Sequence, residues 1–242
     1  MLSENYVYYP EQLSAEELDS FLEKGWYRMG QSLFTTHYIM LQESIYRVFW
    51  LRYNLSALSF SKYQQQLIKR NSQFNLAIKP IRLTDELEEL YTLYKTGITF
   101  EPAQSIQHWL YGDQSKNVFD TDIIEIRDNE KLIAAGIFDK GNQAIAGIMN
   151  FYDPAYKKYS LGKYLMLLKM QYAKTKNMSW YYPGYIVYNH SGFDYKLFPG
   201  NTTTEVFVPE LEGWKIYDAP LIARYGKGID INFNDQDSHA SQ

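Results

Sequence analysis

The chain has 242 residues, 45% hydrophobic and 17% aromatic, with 28 acidic and 24 basic side chains and a net charge of −4. It contains no cysteine, which excludes disulfides, thiolate nucleophiles, Cys-ligated zinc and iron–sulfur clusters. The opening residues show no basic segment leading into an apolar run, and no stretch offers 18 apolar residues. Neither a signal peptide nor a membrane span is therefore expected, and the chain reads as soluble and cytoplasmic.

Taken in order, the first elements are helices announced by their caps. Ser14 with Glu17 forms a capping box ahead of Leu18, Phe21 and Leu22, and Gly25 stops that helix. Residues 61–70 read as a polar helix ending at Asn71, and Thr84 caps a helix that runs to Gly97. Pro102 opens a short helix to Gly112. The period then changes from four to two. Three apolar runs separated by "DNE" and "KGN" predict an antiparallel meander over residues 122–152. Ser160 caps an amphipathic helix carrying Leu161, Tyr164, Leu165, Leu168 and Tyr172, which Asn177 ends. A strand over 179–188 is interrupted by Pro183-Gly184, which marks an edge or a bulge. "FDYKLF" and "EVFV" suggest further short strands, and the polar tail from Gly226 frays. The fold class expected is α+β, a mixed, mainly antiparallel sheet flanked by helices. The expected organisation is a small N-terminal module over 1–80, a sheet domain over 81–225 and a flexible tail over 226–242.

Charge is unevenly distributed. Residues 44–84 hold seven bases and no acid, and residues 153–200 hold seven lysines against Asp153 and Asp194. Either these blocks converge into an electropositive surface hidden by the net charge, or each is paired with acids elsewhere in the fold. The four histidines, at 37, 108, 190 and 239, show no metal-ligand spacing, and no metal or cofactor is expected.

Strands, a sharp corner, a capped helix and a bulged strand describe the core of the N-acyltransferase fold, in which a helix N-terminus faces an anionic acyl donor. The acetyl-CoA enzymes of that fold carry Gln/Arg-x-x-Gly-x-Gly/Ala at this corner. Here it reads Tyr159-Ser-Leu-Gly162-Lys-Tyr164, with one matching glycine and a tyrosine in the last small position. A larger set of motifs points elsewhere: Phe151-Tyr-Asp-Pro154, Ser160-Leu-Gly162 with Tyr164, Tyr181-Tyr-Pro-Gly-Tyr185, and Tyr195-Lys196. With "GWYRMGQSLF" and the segment from Ser59 to Pro80, these span residues 6–200 and resemble the aminoacyl-tRNA–protein transferases, the arginyl/leucyl family of N-end tagging. Two family features are missing: the N-terminal cysteine cluster, and Cys-x-Lys-Met ahead of the Tyr-Lys pair, where Asn189–Asp194 stands instead.

The resemblance implies an enzyme that moves Leu or Arg from charged tRNA to the α-amine of a protein with an acidic N-terminus. A monomer with no membrane partner is expected. An acyl-CoA N-acyltransferase of the same fold, or a non-catalytic descendant binding RNA or peptide, are the alternatives. The donor ester is already activated, so alignment supplies much of the rate. The amine must still lose a proton, and the oxyanion needs donors. Asp153 either orients or deprotonates the amine, holds the donor's α-ammonium, or merely starts a turn. Tyr185 either turns its hydroxyl into the cleft or belongs to the core. Ser160, Leu161, Gly162, Tyr164 and Gly184 are candidates for the donor end, and Tyr195 and Lys196 follow from the resemblance. Lys157, Lys158 and Lys163 near the helix start, and Lys62, Lys69 and Arg70 on the polar helix, are candidate RNA contacts or plain solvated surface.

Overall fold

The computed structural model describes residues 6–41, 44–98, 102–112 and 117–227. In chain order the elements are β1 (Tyr6–Tyr8), α1 (Ala15–Glu23), β2 (Tyr27–Met29), β3 (Ser32–Thr35), β4 (Tyr38–Leu41), β5 (Ser44–Asn54), α2 (Lys62–Asn71) and β6 (Asn75–Pro80). There follow α3 (Asp85–Lys95), α4 (Ile106–Tyr111), β7 (Thr121–Asp128), β8 (Lys131–Lys140), β9 (Ala144–Tyr152), α5 (Leu161–Thr175), β10 (Trp180–Val187), β11 (Thr204–Val208), β12 (Gly213–Ile216) and α6 (Ala219–Gly226). The α+β class is as the sequence predicts.

Helix starts follow the cap chemistry. Ser14 and Glu17 close the predicted box on α1, and Ser61 with Gln64 closes a second on α2. Thr84 accepts from the Leu87 amide at the start of α3. The helix expected from Pro102 begins instead at Ile106, because the Ser105 hydroxyl accepts from the His108 amide and Glu88 receives the amides of Ile106 and Gln107. "FDYKLF" is not a strand: residues 191–197 coil into a 3₁₀ turn, with Tyr195 and Lys196 on it.

One sheet runs in the order β12-β11-β5-β10-β9-β8-β7-β6, with β4 also paired to β5. The meander β7–β8–β9 forms as predicted. Every pairing is antiparallel except β9 with β10, a parallel contact of three residues: Trp180 to Tyr182 against Ala144 to Ala146. Residues 44–54 and 75–80 are strands of this same sheet, which therefore crosses the boundary expected at residue 80. What remains separate at the N-terminus is a three-stranded sheet, β1-β3-β2, that packs with α1 over Trp50, Ala144 and Tyr182. Helix α6 occupies 219–226, and residues 228–242 of the expected tail lie outside the described residues.

Alternation along the strands feeds two cores. Ile124, Ile126, Ile133 and Phe138 face α5 and α2, where Leu161, Tyr164 and Leu165 meet them. Ile123, Ala135, Ile137 and Phe151 face α3 and α4. Among the described residues no helix is long and apolar enough to cross a membrane. Leu165 is fully buried at the centre of the α5 face. Leu165→Ala should cost about 2–5 kcal/mol of stability in urea denaturation, the range for deleting a buried leucine side chain; a loss well below that range would mean α5 is not packed as described.

Candidate active site

The cleft opens where β9 and β10 part. Each strand carries one extra residue beyond their shared segment. In β9 the register with β8 steps from Met149 to Gly147, leaving Ile148 unpaired. In β10 the register with β5 slips between Tyr181 and Gly184, across Pro183, which has no N–H to give the ladder. The result is a cavity of about 690 Å³ bounded by both strands, the start of α5 and the 3₁₀ turn at 191–197. Gly147 is required at its edge: a Cβ there would stand 2.7 Å from the Tyr181 hydroxyl oxygen. Gly184 adopts φ +98°, a left-handed conformation that glycine alone adopts freely.

The start of α5 departs from the predicted cap. Ser160 has φ 53° and ψ 45°, and its side chain caps nothing. A 3₁₀ turn over 154–159 precedes it, so the chain enters the helix from a left-handed residue and the Ser160 hydroxyl cannot fold back onto the first turn. Ser160, Gly162 and Lys163 all line the cavity. An uncapped N-terminal turn beside a lysine is a ready anion subsite. Leu161 and Tyr164, also predicted to bind substrate, are buried in the α5 core and do not line the cavity: the helical repeat turns them away from it.

Asp153 lies outside the cavity. It is 3% exposed, and its carboxylate accepts from the Ala155 amide at 2.9 Å and pairs with Lys131 at 2.7 Å. It begins the 3₁₀ turn, the role an Asp-Pro sequence has on its own. Tyr185 does line the cavity, held edge-on to Trp50 at 5.0 Å and stacked on Phe193 at 5.6 Å. Burial raises its hydroxyl pKa above the ordinary value, so it stays a donor.

Lys196 is half-buried, with its ammonium 4.6 Å from the ring centre of Tyr195, 4.9 Å from Phe193 and 5.8 Å from Tyr185. Among the described residues no carboxylate pairs with it, and burial pulls its pKa down to about 8. Tyr53 donates its hydroxyl to the Lys196 carbonyl and fixes the turn. Two groups escaped the sequence reading. Lys169, 1% exposed on α5, lines the cavity and donates to the carbonyls of Ile137 at 2.7 Å and Met149 at 3.1 Å. Arg28 reaches the cavity from β2 while donating to Asp139 at 2.8 Å, Thr121 at 3.0 Å and the Leu110 carbonyl at 2.7 Å. The signal for Lys169 was a single charge inside "LMLLKMQYA".

Lys157 also lines the cavity, whereas Lys158 does not. Lys62, Lys69 and Arg70 are exposed on one face of α2, seven and eight residues apart. That helix packs beside the turn and α5: Asn71 donates to the Tyr159 carbonyl at 3.1 Å, and the Lys163 ammonium lies 5.9 Å from the Tyr63 ring centre. The α2 cations and the lysines at the start of α5 thus lie near one another, whereas Arg47, Arg52 and Lys79 of the first basic block are paired with Glu210, Glu205 and Glu125. Among the described residues no cluster of acids and histidines could hold a metal ion.

Residues 11–199 match the family described as arginine-tRNA-protein transferase, C terminus. The chain belongs to this family. The transferase is 28% identical over 203 residues to the aspartate/glutamate leucyltransferase of Leptospira interrogans, covering 79% of this chain and 75% of that one. It is 25% identical over 181 residues to that of Helicobacter hepaticus, with 72% and 73% covered. Against the Campylobacter jejuni protein of the same name it is 26% identical over 195 residues, with 78% and 79% covered. Among solved structures, FemX superposes with a TM-score of 0.46 at 8% identity, over 87% of this chain and 70% of that one. The transferase is therefore an enzyme that takes an amino acid from aminoacyl-tRNA and joins it to a protein N-terminus.

Asp153→Asn keeps an acceptor for the Ala155 amide and breaks a pair whose lysine side chain is 59% exposed, a contact worth under about 1 kcal/mol. Transfer by this variant should stay within about threefold of the unaltered transferase. A hundredfold drop in kcat with unchanged melting would return Asp153 to the chemistry.

Proposed function

We propose that this transferase moves leucine, not arginine, from its tRNA to the α-amine of proteins beginning with aspartate or glutamate. One observation carries the reading: the residues lining the cavity include Lys157, Lys163 and Lys196, none of them in an ion pair, and among the described residues no carboxylate. An arginyl side chain entering this space would meet like charge and find no partner. Two unit charges about 5 Å apart at an effective dielectric near 20 repel by about 3 kcal/mol, enough to discriminate by more than a hundredfold. Met29, Phe34, Trp50 and Met166 supply instead an apolar wall suited to a branched aliphatic side chain. The names of the relatives agree with both the donor and the acceptors.

On this reading Lys196 receives the acceptor's acidic side chain. Its aromatic surround desolvates the ammonium, and a carboxylate is the partner that such a cation lacks. Ser160, Gly162 and the free amides of α5 would take a phosphate near the tRNA 3′ end, with Lys157 and Lys163 beside them. Lys62, Lys69, Arg70 and Lys158 would extend the contact along the acceptor arm. No cofactor is required, because the ester carries its own activation.

The direct assay mixes the protein with tRNA bearing radiolabelled Leu or Arg and peptides beginning with Asp, Glu or Ala. Label should pass from leucyl-tRNA to the Asp and Glu peptides alone. Equal transfer from arginyl-tRNA, or to the Ala peptide, would overturn the assignment. Lys196→Met should raise KM for the acidic peptides at least tenfold and leave tRNA affinity unchanged. Reversing Lys62, Lys69 and Arg70 to glutamate should weaken tRNA binding and flatten the slope of log K against log salt by about two. An unchanged slope rejects that surface.

A further inference from the structure

The reaction begins with a proton in the way. An N-terminal amine has a pKa near about 8 and arrives mostly as ammonium at neutral pH. It must become a free amine before it can attack. Among the described residues the cavity lining offers no aspartate, glutamate or histidine, and Asp153 is spent on its turn and on Lys131. Among the described lining residues the nitrogen bases are lysine amines.

We propose that Lys169 takes the proton from the acceptor's α-ammonium, directly or through one water. Three observations carry this. The first is position: Lys169 lies on the floor of the cavity, where β9 bulges away from β10. The second is its hydrogen bonding. Nζ makes two bonds, to the carbonyls of Ile137 and Met149, the paired residues on one side of that bulge. A neutral amine has two N–H groups and one lone pair, so these two bonds leave the lone pair free. The third is Asn150. Its Oδ1 is buried without a partner, and it approaches the same face of Gly136 as the Lys169 Cε: a Cβ on Gly136 would meet them at 3.0 and 3.2 Å. No hydrogen bond joins this oxygen to Nζ, so the two carbonyls are the partners of Lys169 among the described residues.

The electrostatic surroundings agree. Burial pulls the Lys169 pKa down to about 7, and Asp139 on β8 opposes that shift. Asp139 is itself paired with Arg28 of β2. On the other elements packed against α5, Asp122 of β7 is paired with Lys140, Glu125 of β7 with Lys79, Tyr181 of β10 is buried with its hydroxyl protonated, and the cations of α2 are exposed. An amine neutral near pH 7 and matched to its donor's pKa is suited to general base work.

The inference rests on the family's transfer to an N-terminal amine, and its steps balance. Lys169 Nζ accepts one proton from the ammonium. The freed nitrogen forms a bond to the ester carbonyl carbon, whose π pair moves to oxygen. Collapse of that intermediate breaks the bond to the ribose oxygen, which leaves with the second proton of the nitrogen. Lys169 then returns its proton to water.

The test uses the full chain. Lysine side chains labelled with ¹³C at Cε and ¹⁵N at Nζ are titrated by NMR, and Lys169→Gln assigns the resonance. One lysine should titrate near pH 7. If the Lys169 resonance moves only above pH 9, the proposal is wrong. Lys169→Gln is also the informative variant in transfer, because an amide can still donate to the two carbonyls and cannot accept a proton. Both Lys169→Gln and Lys169→Met should lower kcat about 10²–10⁴-fold, keep leucyl-tRNA affinity, and lose the ionisation near 7 from the pH profile of kcat. Full activity in Lys169→Gln would reduce Lys169 to a brace for the bulge and overturn the proposal. Absence of transfer by the unaltered protein overturns the activity itself, and is distinguished from failure of Lys169 by the NMR titration, which needs no turnover.

Discussion

Two antiparallel half-sheets are joined by a parallel contact three residues long. On one side of this seam lie β10, β5, β11 and β12, and on the other β9, β8, β7 and β6. Most of the rest follows from how short that contact is. Had the pairing continued past Tyr182 and Ala146, the strands would have closed the space in which the cavity now stands. Two bulges prevent it, one in each strand, and each leaves backbone groups that need other partners. Lys169 supplies donors for the carbonyls beside the β9 bulge. Proline removes one of the orphan donors in β10 by having no N–H at all.

A seam so short needs a staple, and the N-terminal sheet provides it. Consecutive residues of β2 reach opposite halves. Tyr27 donates to the Leu51 carbonyl of β5 and stacks on Trp50, with ring centres 3.9 Å apart. Arg28 enters the other half and binds Asp139 of β8, Thr121 of β7 and the carbonyl of Leu110 on α4. Arg28 and Asp139 are both buried, so losing either partner strands a charge and costs several kcal/mol, about 3–5 in comparable pairs. A small N-terminal sheet that shares no strand pairing with the large one thus fixes the separation of its halves and forms one wall of the cavity.

The caps, the meander and the bulge at Pro183-Gly184 were legible because each depends on neighbours a few residues away: Ser14 on Glu17, Asn129 on its own turn, Pro183 on its missing donor. The mistaken readings arose where one local pattern serves two purposes. Asp-Pro begins turns whether or not the carboxylate does chemistry, and only the approach of Lys131, 22 residues earlier, shows that this one is occupied. Ser160 has the composition of a cap and the wrong backbone for it, because the 3₁₀ turn before α5 delivers it in a left-handed conformation. Arg28 and Lys169 were out of reach for a different reason. Their partners lie 111 and 32 residues away, and a charged residue among apolar ones signals burial without saying what it faces.

A net charge of −4 says little about where the charge acts. The acids are spent on helix starts, turn anchors and buried partners: Glu17 in its capping box, Glu88 on the amides of α4, Asp139 on Arg28. Lys157, Lys163, Lys169 and Lys196, none of them in an ion pair among the described residues, line one cavity, with Lys62, Lys69 and Arg70 exposed on α2 beside it. Burial raises the free-energy cost of an ammonium that has no carboxylate beside it, which is why Lys169 and Lys196 give up their protons more readily than a solvated lysine does. An acidic acceptor and a phosphate relieve this cost when they enter, so substrate binding is favoured by the same desolvation that keeps an amine neutral. Attraction for anions and a base able to work near neutrality are then two consequences of placing lysines in a cavity whose described lining holds no acid.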